Sequence, residues 1–324
     1  MKAIICRELG SPNVLRLEEL ASQNLLANEV RIQIRAAAIN FPDILMVAGK
    51  YQHKPSLPFV PGFEVAGEIV ETMQDCVAFK VGDRVMATMR TGGYAEECVV
   101  PTDAVRHIPT PFDFPQAASF QVGHATAYVS LVRRGKLNKN ETLLVHGATG
   151  GVGLAAVELG SVLGAKVIAT VSKKEKVVPA KLAGADHVII LDENGFKDQI
   201  KELTRGNGAD VIYDPVGGDI FDESLRCIAW GGRLLVVGFA GARISNVPAN
   251  HILIKGCSII GVRAGEFARR NPTQGSENYE AMIKLANDGR LKPRVHAQLP
   301  LHQAADAMAL LIQRQAIGKV VLIP

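Results

Sequence analysis

The sequence predicts an α/β chain of two domains, one made of many short strands and one built on a doubly wound parallel sheet with helices on both faces. Three observations lead there. At 324 residues the chain exceeds the size at which a single hydrophobic core usually stops growing, which favours two domains. Up to about residue 120, short alternating apolar and polar runs are broken by Pro and Gly, the pattern of an irregular β domain with many turns. From about residue 142, near-continuous apolar runs alternate with helix-length segments, as parallel strands buried on both faces require.

In chain order, Val30-Arg31-Ile32-Gln33-Ile34-Arg35 reads as a strand with one apolar face, and EVAGEIVE (64–71), VGDRVMA (81–87) and GGYAEECVVP (92–101) follow it. The second texture begins with the strand TLLVHG (142–147) and a helix over roughly 151–163. KVIATV, a helix from about 173, HVIIL, a helix near 196–205, ADVIYDP, a helix near 218–229 and RLLVVGF continue the alternation. The tail carries two helical stretches, NYEAMIKLANDG and HQAADAMALLIQRQ, and closes on KVVLIP. A closing strand needs a sheet to join, so this tail is expected to return to the first domain.

Composition narrows the function classes. Hydrophobic residues make up 48%, charged residues 21% and aromatic residues 5%, which is globular usage with too few rings for a base-stacking nucleic-acid platform. The formal charge is +4, spread over short pairs such as Arg133-Arg134, Lys173-Lys174 and Arg269-Arg270. That suits a local anion site, not a phosphate-backbone binder. No apolar run nears the length of a membrane span, and the opening MKAIICRELG lacks the apolar core of a signal peptide. Cys6, Cys76, Cys98, Cys227 and Cys257 form no CxxC pair, the usage of reduced thiols in a cytoplasmic protein.

Two stretches carry chemistry. TLLVHG runs into Ala148-Thr149-Gly150-Gly151-Val152-Gly153 and then a helix, the context in which backbone N–H groups hold a pyrophosphate. Ala148 takes the first glycine position of G-x-G-x-x-G, and Gly150 and Gly153 take the second and third. At the end of the next strand, where an NAD site places an acid for the ribose 2′-OH, stands Val171, followed by Ser172-Lys173-Lys174-Glu175-Lys176. Lysines attract a 2′-phosphate that a carboxylate would repel, which favours NADPH. In PGFEVAGE (61–68), Glu64 heads a small apolar run; an acid there is costly without a partner, so it serves a metal, a substrate or the fold.

Ordered matches along nearly the whole chain carry a family resemblance: NFPD (40–43), GKY (49–51), PGFEVAG (61–67), FKVGDRV (79–85), GGYAEECVVP, TAY (126–128), HGATGGVG (146–153), YDPVGGDIFDESLRC (213–227), GGRLLVVGFA (231–240) and GKVVL (318–322). The chain resembles the zinc-free quinone oxidoreductase (ζ-crystallin-like) branch of the medium-chain dehydrogenase/reductase superfamily. The resemblance implies a GroES-like catalytic domain, 1–121 and 266–324, a Rossmann domain, 122–265, and a cleft for nicotinamide and a planar electrophile between them. It assigns Asn40 and Thr126 to the nicotinamide pocket, Ala148 to Gly153 to the pyrophosphate, and Ser172, Lys173 and Lys176 to the 2′-phosphate. Phe239 falls beside the carboxamide, and Arg314 and Lys319 fall near the cofactor phosphates. Leu191 departs from the family, standing where relatives often carry Tyr, and Val47 replaces a common Arg. A homodimer through the strand in GCSIIGV (256–262) is also implied.

Zinc-dependent relatives need an early Cys and a His-Glu pair. Here Asn40-Phe41-Pro42-Asp43 has no Cys and Phe63 stands in place of the His, so no metal is expected and Glu64 is expected to pair with a polar or basic neighbour. Without a Lewis acid an alcohol is a poor substrate, whereas a quinone or enone accepts hydride while charge moves to a distant oxygen. Tyr51 either faces that acceptor with its hydroxyl or serves as an aromatic wall. The leading expectation is an NADPH-dependent reductase of small quinones. Alternatives are a reductase of activated C=C bonds in enals, enones or acyl-CoA thioesters, with Arg263, Arg269 and Arg270 meeting a CoA phosphate or only solvent, and a non-enzymatic NADPH-binding structural or RNA-binding protein.

Overall fold

Both ends of the chain build one unit, Met1–Val122 with Lys292–Pro324, and the middle, Gly123–Leu291, builds another; the computed structural model describes residues 1–73, 76–241 and 243–324. The first unit opens with β1 (Lys2–Ile5) paired antiparallel to β2 (Arg16–Glu19). Val30, Ile32 and Ile34 point one way from β3 (Glu29–Ala38) and are buried, as the alternation requires. Pro42 in the first turn starts α1 (Phe41–Val47). There follow β4 (Glu64–Thr72), β5 (Arg84–Thr88), β6 (Glu97–Pro101), β7 (Val105–His107) and α2 (Phe114–Ala118), and α3 (Gln121–Tyr128) starts here but runs from Gly123 on in the second unit.

The second unit contains β8 (Thr142–Val145), α4 (Gly151–Val162), β9 (Lys166–Val171), α5 (Val177–Leu182), β10 (His187–Ile190), α6 (Lys197–Leu203), β11 (Ala209–Asp214), α7 (Asp219–Cys227), β12 (Ile228–Val236), α8 (Ala249–Lys255), β13 (Ser258–Gly261), α9 (Ala264–Arg270) and α10 (Pro272–Asn287). Its strands pair parallel in the order β10-β9-β8-β11-β12-β13. The order reverses between β8 and β11, and open parallel sheets bind ligands at the carboxyl ends of strands beside such a reversal. Ala155, Val157 and Leu159 of α4 and Ala180 of α5 cover one face. Ile200 of α6 and Phe221 and Leu225 of α7 cover the other.

The tail returns through β14 (Val295–Pro300), α11 (Ala304–Ile312) and β15 (Lys319–Ile323). β15 joins β3 antiparallel, giving the sheet order β14-β15-β3-β4-β5-β7 with β6 also on β3. The boundary expected between residues 265 and 266 shifts to the junction of Leu291 and Lys292. Phe267 and Leu285 pack on the core that α4 covers, and the Arg133 guanidinium donates to Asn278 Oδ1 at 2.7 Å. Those contacts hold α9 and α10 to the parallel sheet. Among the described residues no helix is long and apolar enough to cross a membrane.

Candidate functional site

In the second unit the site grows from the end of β8. Gly147, at φ +55, supplies the left-handed residue of the turn that Ala148 in the first glycine position cannot, and Ala148 and Thr149 are buried beneath it. Gly153 is there because α4 crosses the turn at close range: a Cβ would lie 2.1 Å from the Gly147 carbonyl oxygen. No side chain caps α4 at Gly150, so the first N–H groups of the helix, at Gly151, Val152 and Gly153, are left for an anion or water. These residues fit a dinucleotide's pyrophosphate.

Beneath the turn lies His146, whose ring nitrogens meet Thr170 Oγ1 at 2.9 Å and Ser224 Oγ at 2.8 Å. Burial pushes its pKa down to about 3, so the ring is neutral and ties β8, β9 and α7 together. At the end of β9, Ser172 and Lys173 are exposed while Lys176 is buried. The helix expected from about 173 begins as a short 3-10 turn, Lys174–Lys176, before α5. Leu191, just past β10, donates its N–H to the Val171 carbonyl at 2.8 Å and packs on the core. Thr126 lies half-buried on α3.

After β11, the buried Asp214 carboxylate accepts the N–H groups of Val216 and Gly217 at 2.8 and 2.9 Å. Burial raises its pKa against the pull of those bonds. The loop so shaped brings Gly217 beneath Phe239, whose Cδ1 would lie 3.0 Å from an added Cβ. Arg269 and Arg270 are not an open basic group: both guanidinium groups bond Glu266, at 2.9 and 2.7 Å.

The first unit holds a second cluster, set by strand register. β15 pairs with β3 as Val321↔Ala38 and Leu322↔Ala37, and β3 with β4 as Ala37↔Val65 and Ala36↔Ala66. Continued past the ladder ends, these registers put Lys319 opposite Asn40 and Glu64 opposite Ala38, on one face. There the Lys319 ammonium donates to Asn40 Oδ1 at 2.6 Å and to Glu64 Oε1 at 2.7 Å. Asn40 Nδ2 donates to Glu64 Oε1 at 3.1 Å, and Glu64 Oε2 accepts the Val122 N–H at 2.9 Å. Lys319, expected beside phosphates, is thus a buried partner of the acid that opened PGFEVAGE.

Asp43 completes the cluster. Its carboxylate accepts the Asn40 N–H, the Gly62 N–H and the Tyr94 hydroxyl at 2.8, 3.1 and 2.7 Å. Burial pushes its pKa up to about 7, while those three donors and the Lys319 charge pull it back. Sequence reasoning named neither Asp43 nor Tyr94; the signal for them was Asp43 three residues after an N-cap Asn. Half-buried Tyr51 meets Phe63 edge to face, with ring centroids 5.8 Å apart. Arg314 is exposed after α11 with left-handed backbone, φ +56. Among the described residues no group of three His, Cys, Asp or Glu side chains is placed to hold a metal ion.

Comparison with known proteins agrees with both units. Residues 26–110 match the alcohol dehydrogenase GroES-like domain, and residues 151–288 match the zinc-binding dehydrogenase domain. A quinone oxidoreductase-like protein 2 homolog of Nematostella vectensis is 41% identical over 99% of this chain and 88% of its own. Two solved structures cover 100% of both chains: a mycobacterial protein complexed with NADPH, 32% identical with a TM-score of 0.93, and the Escherichia coli quinone oxidoreductase complexed with NADPH, 29% identical with a TM-score of 0.92. With a GroES-like unit, a Rossmann unit and relatives of this identity over its whole length, the chain belongs to the zinc-free quinone oxidoreductase branch of the medium-chain dehydrogenase/reductase superfamily, a family of oxidoreductases.

Proposed function

We propose that the protein is a cytoplasmic NADPH-dependent reductase of small quinones. The observation that carries the cofactor is the pairing of the uncapped α4 turn with a β9 end that presents Ser172 and Lys173, with the buried Lys176 behind them, where an NAD site needs an acid. The bound nicotinamide supplies hydride to an electron-poor ring. The chain supplies placement: the α4 N-terminus takes the pyrophosphate, and Lys173 and Lys176 take the 2′-phosphate. Thr126 and Phe239 line the nicotinamide, Arg314 supports the phosphates, and Tyr51 presents its hydroxyl to the acceptor. A hydroquinone anion needs only solvent for its proton, which fits a site with no dedicated acid.

The charge argument sets the first test. A Lys173→Ala/Lys176→Ala variant is expected to lose about 10- to 100-fold in NADPH affinity while NADH affinity stays put. Fluorescence titration with both cofactors measures this, and an unchanged NADPH preference would sink the assignment. The acceptor is tested by NADPH oxidation against 9,10-phenanthrenequinone, 1,4-benzoquinone, 2-hexenal, acryloyl-CoA and a primary alcohol. The quinones are expected to turn over fastest; turnover confined to the enal or the thioester would replace quinone reduction by C=C reduction.

We also infer a homodimer through β13. It is the outer strand of the parallel sheet, and Trp230 and Leu253 nearby are 78% and 80% exposed, a combination that soluble proteins usually cover. Sedimentation is expected to give twice the chain mass, and a monomer at micromolar concentration would overturn this.

A further inference from the structure

We propose that Asn194 is a site of spontaneous deamidation, and that the fold protects the chain's other Asn-Gly pair, Asn207-Gly208, from the same reaction. It uses only the second unit and needs no ligand, so it stands apart from the cofactor and acceptor readings. In an Asn-Gly pair the glycine nitrogen can attack the asparagine Cγ, because no Cβ blocks the approach and φ is free to turn. A C–N bond forms and a succinimide ring closes. The glycine N–H proton passes through solvent to the side-chain nitrogen, which leaves as ammonia. Water then adds at either ring carbonyl and one C–N bond of the ring breaks. Opening at the Cγ side gives aspartate; opening at the main-chain side gives isoaspartate, whose backbone runs through the side-chain carbon.

The sequence holds two Asn-Gly pairs, and the structure sets them apart. Asp192, Glu193 and Asn194 form an exposed turn between β10 and α6. There the attacking nitrogen, on Gly195, is held by a turn bond to the Asp192 carbonyl at 3.2 Å. Such a bond opens whenever an exposed loop frays. At the other pair Gly208 is buried just before β11, and its N–H donates to Thr204 Oγ1 at 2.9 Å. Backbone crowds it as well: an added Cβ would lie 2.5 Å from the Cys227 carbonyl oxygen and 2.9 Å from the Ala229 nitrogen. Turning that peptide toward the Asn207 side chain means prising the start of β11 from the chain between α7 and β12, which is a far larger opening.

The reaction at Asn194 has a structural consequence, because the next residues are tightly seated. An added Cβ on Gly195 would run into the Glu223 carboxylate. Glu223 Oε1 accepts the N–H groups of Phe196 and Lys197, each at 2.7 Å, and so fixes the start of α6. Phe196 is 1% exposed, and its ring centroid lies 4.8 Å from that of His146, the ring beneath the glycine turn. Isoaspartate at 194 adds one carbon to the main chain directly before Gly195, and either product adds a negative charge there. The longer backbone pulls Gly195 off the Glu223 carboxylate and loosens the seat of Phe196.

The test incubates the full chain at neutral and at mildly alkaline pH and follows both Asn-Gly peptides by mass spectrometry, with enzymatic methylation marking isoaspartate. Deamidation at Asn194 is expected to run about 10-fold or more ahead of that at Asn207. It should quicken with pH, since the attacking nitrogen must lose its proton. In chain unfolded by urea the two rates are expected to converge. Equal rates in the folded chain, or an Asn194 that stays intact while the unfolded chain reacts there, would overturn the proposal. A gap that persists in urea would overturn the protection by the fold and assign the difference to local sequence.

Two variants probe the parts separately. Thr204→Val frees the Gly208 N–H and is expected to raise the Asn207 rate roughly several-fold; an unchanged rate would remove Thr204 from the protection. Asn194→Gln lengthens the side chain by one carbon and disfavours ring closure, so its melting temperature is expected to hold through an incubation in which wild type loses some of its own. An equal fall in both would break the link from Asn194 to α6. Should Asn194→Gln fold poorly, the aged wild type is separated by charge into intact and deamidated fractions and the two are melted side by side, with the same outcomes.

Discussion

Replacing Gly153 with alanine is expected to lower NADPH affinity by about 100-fold or more and to destabilise the second unit by roughly 1–3 kcal/mol. A Cβ at that position would lie 2.1 Å from the Gly147 oxygen, 2.8 Å from the Gly147 carbonyl carbon and 2.9 Å from the Ala148 Cα. All three are backbone atoms, so no side chain can turn away to make room. Either α4 or the turn after β8 must move, and in both cases the N–H groups of Gly151, Val152 and Gly153 lose their common aim. Each hydrogen bond to a charged phosphate is worth about 1.5–3 kcal/mol, so misplacing two exceeds the stability cost. Gly150→Ala is the control: its nearest foreign atom would be the Gly147 oxygen at 3.4 Å, which leaves folding almost untouched. Fluorescence titration and urea denaturation of the pair give both numbers, and wild-type affinity in Gly153→Ala would refute the role of the close approach.

How much of this was legible in the sequence follows from the range of the interactions. The strands of the parallel sheet announce themselves because each is buried on both faces, so KVIATV and ADVIYDP are apolar almost throughout. The glycine turn is local, with strand, turn and helix in one stretch of chain. α10 was legible as a helix but not as part of the second unit, because an amphipathic face says that something covers it without saying which sheet. The displaced left-handed residue is a finer case: Ala148 occupies the fingerprint position while Gly147, one place earlier, makes the bend. Spacing motifs record residue types, whereas the turn depends on φ.

Longer-range polar partners were the hardest to read. Glu64 was correctly expected to have a basic or polar neighbour, but 255 positions separate it from Lys319. Only the register of β15 on β3, and of β3 on β4, brings them together, and register between chain ends leaves no mark in local sequence. Asp43 and Tyr94 were passed over for the same reason. Their bond spans 51 positions, and each residue alone looks like ordinary helix or strand content.

That buried cluster sets the other large effect. Glu64→Leu is expected to cost about 3–5 kcal/mol, because it leaves the Lys319 ammonium buried without its counter-charge. It also strips acceptors from the Asn40 amide and from the Val122 N–H, both of which Glu64 satisfies. Adding Lys319→Met should recover most of that loss, since removing a buried ion pair as a unit costs far less than breaking it. The two residues touch, so their effects cannot add: each single change strands a charge, and the pair strands none. Urea denaturation of the four proteins, wild type, the two single variants and the double, measures the coupling. If the single losses simply sum in the double variant, the carboxylate and the ammonium are not holding one another, and their 2.7 Å contact would carry no net energy.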